Sequence, residues 1–104
     1  MAVQALVTQH ILFISASNSF DENILSNSLI QTLANNSVGN DLVVGYNSFV
    51  HWDGTNWTTS GYCELICIVT VAFQTTIQAN IPNLQAAFPE YRVVTWGYPV
   101  SYGN

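Results

Sequence analysis

The stretch from Trp57 to Phe73 reads as one long strand that is apolar on both faces. Cys63, Leu65, Cys67, Val69, Val71 and Phe73 alternate onto one face, and Tyr62, Glu64, Ile66, Ile68, Thr70 and Ala72 onto the other. Residues two apart in a strand share a face. A sheet covered on one side only shows a polar second face. Ile66 and Ile68 break that rule, so something must cover each side of the sheet.

The remaining elements follow from periodicity and turn chemistry. Ala2 to Ser17 contains a strand centred on Thr8 to Ser15. It puts Val3, Ala5, Val7, Ile11 and Phe13 on one face and Leu6, His10, Leu12 and Ile14 on the other. Ser19 and Glu22 have capping-box spacing, and Leu25, Leu29 and Leu33 recur every four residues. This predicts an amphipathic helix from Phe20 to Ala34, ended by the segment Asn35 to Asp41 with its Gly39. Leu42 to Trp52 reads as a second strand, and Asp53-Gly54 as the turn into the third. Ile77, Ile81, Leu84 and Phe88 keep helical spacing over Thr75 to Phe88. Pro82 suits a first turn, with Asn80 as cap, which would shorten the regular helix to Ile81 to Ala87. Tyr91 to Tyr98 is the last strand.

Residues 1–104 are thus expected to form a single α+β domain of ferredoxin-like βαββαβ order. Such a domain is a four-stranded antiparallel sheet with two helices on one face. Its second face is apolar, which predicts a homodimer whose sheets close on each other into an α/β barrel.

One motif agrees with that assembly. His10-Ile11-Leu12-Phe13 resembles the opening His-x-x-Leu-Phe run of the dimeric α/β-barrel proteins, with one residue fewer. That superfamily includes the stress-responsive barrel proteins and their polyketide-cyclase relatives. The basic residue that follows the Phe in that family is replaced by Ile14. The resemblance implies a dimer enclosing a cavity, with His10 in the position of a general base.

Charge excludes several functions. Arg92 is the only basic side chain, lysine is absent, and the net charge is -5. Such a chain cannot neutralise a run of phosphates or anchor to an anionic membrane surface, so neither nucleic acid nor membrane is an expected partner. No apolar run approaches the length of a membrane span, and the N-terminus lacks the features of a signal peptide, which predicts a cytoplasmic protein. Cys63 and Cys67 lie four residues apart on one strand face, about 13 Å between Cα atoms, too far to bridge. Two free cysteines and two histidines at unrelated spacings offer no metal site, and no cofactor motif is present.

Two groups of residues suggest function. His51, Trp52, Asp53, Asn56 and Trp57 cluster at the expected hairpin tip. Aromatic rings stack on sugar faces, and a carboxylate with an amide can bind paired hydroxyls. Asn, Ser, Thr and Gln supply 35 of the 104 residues, a surface suited to hydroxyl-rich ligands. The expected function is therefore lectin-like glycan binding without catalysis. The alternative is a dimeric-barrel cyclase, isomerase or oxygenase acting on an apolar small molecule. In that reading His10 is the general base and Glu64 an acid on a largely apolar face. Trp96 and Tyr98 share one face of the last strand and offer either packing or a stacking platform.

Overall fold

The computed structural model describes residues 5–17, 19–38, 42–52 and 54–100. The sheet contains β1 (Leu6–Ser15), β2 (Val43–Trp52), β3 (Trp57–Thr70) and β4 (Tyr91–Pro99), in the order β2-β3-β1-β4. All three pairings are antiparallel. Helices α1 (Ser28–Asn36) and α2 (Val71–Ala87) complete the ferredoxin-like α+β plan. Among the described residues no helix is long and apolar enough to cross a membrane.

Alternation assigns the two sheet faces. Val7, Gln9, Ile11, Phe13 and Ser15 of β1 and Cys63, Leu65, Cys67 and Val69 of β3 are buried toward the helices. There they meet Ile30 and Leu33 of α1 and Ile77 and Leu84 of α2. Phe13 lies edge-on to Phe88 and Tyr91, at ring separations of 5.6 and 6.2 Å. Both cysteines are free, buried thiols. Burial pushes the Cys67 thiol up to about 11. On the opposite face, Leu12, Ile14 and Ile66 are only partly covered, and Ile68 is exposed. The sheet of the single chain is open and does not close into a barrel.

The helix boundaries depart from expectation. The Phe20-to-Ala34 segment divides into a 3-10 turn, Glu22–Ile24, and the later helix α1. The Asp21 carboxylate accepts from Asn23 N–H and caps the turn, and the Asn27 side chain accepts from Leu29 and Ile30 and caps α1. These two Asx caps displace the Ser19–Glu22 box as the start signal. Strand β3 stops at Thr70, so Val71 and Phe73 belong to α2 and not to the strand. The Thr70 hydroxyl accepts from Phe73 N–H at 3.1 Å and starts the helix there. Pro82 therefore lies inside a 17-residue helix instead of opening a short one.

The strands are offset along their length. β1 pairs with β3 over Gly61 to Thr70, whereas β2 pairs with β3 over Trp57 to Ile66. Residues 49–52 and 57–60 consequently form a two-stranded arm beyond the edge of β1. At the other side of the sheet, Gln85 reaches from α2 to the outer edge of β4. Its amide donates to Tyr91 O, and its carbonyl accepts from Val93 N–H at 3.0 Å. This occupies backbone groups that an edge strand would otherwise leave open for pairing.

Candidate functional site

His10 stands at the middle of the open face because β1 is an inner strand and alternation turns residue 10 away from the helices. Its direct neighbours across the sheet are Ile66 on β3 and Trp96 on β4. The imidazole stacks on Trp96, with ring centroids 4.9 Å apart and planes 7° from parallel. Both ring nitrogens are engaged. Nδ1 lies 2.9 Å from Glu64 Oε1, and Nε2 lies 2.9 Å from the Tyr98 hydroxyl. An ionised carboxylate only accepts, so the partners assign the proton of a neutral ring to Nδ1. Nε2 then accepts from Tyr98 O–H. The side chains of His10 and Glu64 are 12% and 26% exposed, sheltered yet reachable from solvent.

On the far side of Glu64, the same face holds a depression of about 180 Å³. Val43, Gly45, Asn47, Tyr62, Glu64 and Ile66 are among its lining residues. Phe49 packs beside Tyr62, with ring centroids 5.6 Å apart. One carboxylate thus meets His10 on one side and the depression on the other. The hollow between α1 and α2, about 320 Å³, lies on the opposite layer and is lined mainly by Asn, Ser, Thr and Leu. It holds no acid or base that could serve chemistry. Among the described residues no group of three His, Cys, Asp or Glu side chains could hold a metal ion.

A polar chain backs His10 from the core side. Gln9 is fully buried, and its carbonyl accepts from Gln74 of α2 at 2.8 Å. Its amide donates to Thr95 Oγ1 at 2.7 Å, and the Thr95 hydroxyl donates to the His10 carbonyl at 2.6 Å. Gly97 leaves room for this chain, since a Cβ there would overlap the Gln9 and Gln74 amides. Gln9, Thr95 and Gly97 are not among the site residues expected from the sequence. The available signal was Gln9 on the same face as Val7 and Ile11, a polar residue in a core stripe.

The two candidate groups separate in space. His10 and Glu64, expected only as members of the alternative, are in contact, and Trp96 and Tyr98 join them. Trp52 and Trp57 pair across the end of the arm, with ring centroids 5.4 Å apart and planes at 60°. They are 53% and 70% exposed, and Asn56 beside them is exposed as well. His51 is part of β2 opposite Thr58, and nothing is described of its side chain. Asp53 lies outside the described residues. Gly54 follows it with a φ of +99°, a left-handed conformation that glycine adopts without strain. Arg92 has no ion pair among the described residues.

No family model and no curated protein sequence matches this chain. Among solved structures, the fold is similar to that of a phage SAM lyase in complex with S-methyl-5'-thioadenosine. The TM-score is 0.50 at 10% sequence identity, over 97% of this chain and 92% of that chain.

Proposed function

We propose that this protein is an acid–base enzyme for a small molecule laid across the open sheet face. His10 is the base, Glu64 its orienting carboxylate and Tyr98 the group between base and substrate. The observation that carries this reading is the His10 ring, bonded at both nitrogens and stacked on Trp96. General-base catalysis needs an imidazole held in one tautomer and one orientation, and a carboxylate on Nδ1 supplies both. As substrate protonates the Tyr98 oxygen, the phenol proton passes to Nε2. His10 becomes cationic beside Glu64, which stabilises that charge.

The substrate class we propose is a sulfonium nucleoside of the S-adenosylmethionine type, cleaved at a carbon–sulfur bond. This replaces the apolar substrate and the cyclase, isomerase or oxygenase chemistry that the barrel resemblance implies. The face supports it with Trp96 and Tyr98 against His10 and with Tyr62 beside the Glu64 carboxylate, in a chain with no lysine and a net charge of -5. Aromatic faces and carboxylates attract cations. The phage protein of similar fold is itself a SAM lyase. When the bond breaks, its electron pair goes to sulfur and the sulfonium leaves as a neutral thioether. The adjacent carbon gives its proton to the Tyr98–His10 pair, and its C–H electron pair becomes a carbon–carbon double bond in the remaining chain. Incubation with S-adenosylmethionine, followed by chromatography, tests this. The expected product is S-methyl-5'-thioadenosine, reduced about 10²- to 10⁴-fold in His10→Ala. Neither product nor binding with the wild type would overturn the substrate class.

The depression of about 180 Å³ is smaller than the roughly 300–1,000 Å³ typical of ligand sites. We propose that a second copy supplies the missing wall, with the two sheets facing each other through Ile66 and Ile68. Sedimentation should show a dimer for the wild type and a monomer for Ile68→Asp. A wild-type monomer at micromolar concentration would dismiss the closure.

Glycan binding at the arm is the second reading, favoured by the exposure of Trp52 and Trp57. Ring stacking contributes about 1 kcal/mol beyond buried area. Single sites would bind near millimolar, about 4 kcal/mol in all, and two sites on a dimer would add avidity. Trp57→Ala should abolish signal on a glycan array. Retention of that signal places any glycan site elsewhere.

A further inference from the structure

We infer that Gln9, with Thr95 and Gln74, is a positioning element for His10. It sets where the base sits from the opposite side of the sheet and never touches substrate. The inference rests on the acid–base reading of His10 proposed above.

The hydrogen bonds of this chain all run in one direction. The Gln9 amide nitrogen can only donate, and it donates to Thr95 Oγ1. The hydroxyl proton of Thr95 therefore points away from Gln9, and it reaches the His10 carbonyl. Gln74 anchors the other end of Gln9 to the first turns of α2. The chain runs one way, from α2 through β1 and β4 to the backbone of the base. Burying such an amide is costly unless it is bonded at both ends, so its presence in an apolar stripe calls for a reason. Among the described residues no buried side-chain nitrogen or oxygen lacks a partner.

The geometry identifies what the chain holds in place. Trp96 and Tyr98 contact His10 on the open face, while Thr95 and Gly97 alternate with them on the helix-facing side of β4. Gln9 fills the space that a side chain at residue 97 would take. The amide thus fixes the seat of β4 on β1 at Thr95 and Gly97, the two residues that alternate with the aromatic partners. Loss of the Thr95 hydroxyl should let the His10 backbone and the Trp96 stack drift by fractions of an ångström. A catalytic group 1 Å out of place can cost about 10²-fold in rate.

The test uses Thr95→Val, which removes the hydroxyl and keeps the shape, in a His51→Gln background with a single imidazole. Nitrogen-15 NMR of the ring reports its tautomer, and the ring-current shift of its protons reports the Trp96 stack. The parent should show one tautomer, protonated at Nδ1, with strongly shifted ring protons. Thr95→Val should show mixed tautomers and a smaller ring-current shift, with a lowered melting temperature because the buried Gln9 amide loses a partner, and Thr95→Ser should restore both ring signals. If Thr95→Val does not fold, Gln74→Met, at a half-buried helix position, takes its place with the same expectation. Ring signals identical to the parent in a folded variant would overturn the inference. These signals need no turnover, so the outcome is separate from whether S-adenosylmethionine is the substrate. Where turnover is measurable, kcat should fall while KM is retained.

Discussion

Glu64 Oε1 lies 2.9 Å from His10 Nδ1, although 54 positions separate the two residues. Glu64 pairs across the sheet with Leu12, and His10 pairs with Ile66, so acid and imidazole are diagonal neighbours on one face. A one-residue slip of β3 would send Glu64 to the helix side and dissolve the pair. The apolar stripe from Cys63 to Val69 prevents that slip, because the same slip would expose the core.

Glu64→Gln should separate chemistry from stability. The pair is partly exposed, and such ion pairs contribute about 0–1 kcal/mol to folding. The melting temperature should hardly move. Turnover should fall about 10²- to 10⁴-fold, because His10 loses the partner that selects its tautomer and stabilises its cation. A variant that melts normally and turns over normally would remove Glu64 from the site.

Alkaline pH should weaken the fold through Cys67. Burial raises its thiol from 9.0 to about 11, so the folded chain keeps a proton that the unfolded chain has already released. The stability tied to this group is complete below about pH 9 and is lost as pH rises through about 11. Burial raises the Cys63 thiol in the same direction, against an opposing hydrogen bond from Tyr46. Thermal melts from about pH 8 to pH 11 should fall less steeply for Cys67→Ala than for the wild type. Parallel curves would show that Cys67 does not carry the effect.

Gly97→Ala should destabilise the protein, whereas Gly45→Ala should not. A Cβ at residue 97 meets the Gln9 and Gln74 amides, and one at residue 45 meets nothing within 4 Å. Overpacking of this kind costs about 1–3 kcal/mol. At roughly 4–8 °C per kcal/mol for a domain near this size, the loss is easily read by calorimetry. Equal melting temperatures for the two variants would contradict the close approach at Gly97.

Pro82→Ala should stabilise α2. Pro82 sits in the helix interior on an exposed position, where it lacks the N–H that would complete the backbone ladder. Alanine restores that donor, and the intrinsic difference between the two residues is up to about 3 kcal/mol. Chemical denaturation should shift to higher midpoint with an unchanged slope. A lower midpoint would mean that the proline ring makes packing contacts worth more than the missing bond.

Much of the architecture was legible along the chain, because alternation with period two is a local property. The two faces of β1 and β3, and the place of the tryptophans at the end of the hairpin, follow from counting residues. What local pattern could not decide was where one period hands over to the other. Val71 and Phe73 continue the apolar alternation of β3, yet the Thr70 hydroxyl caps Phe73 N–H and turns the chain into helix. Asn27 likewise starts α1 later than the leucine spacing suggests, because its side chain meets two amide donors. The site itself belongs to tertiary structure. His10, Glu64 and Tyr98 each stand out in their own segments for a separate reason, and nothing local joins them. They meet because β1 lies between β3 and β4, and register across two strand pairs chooses which residues face one another. Gln9 shows the same limit from the other side. In sequence it interrupts an apolar stripe, and only Thr95 and Gln74, brought from distant segments, turn that interruption into a bonded seat for the base.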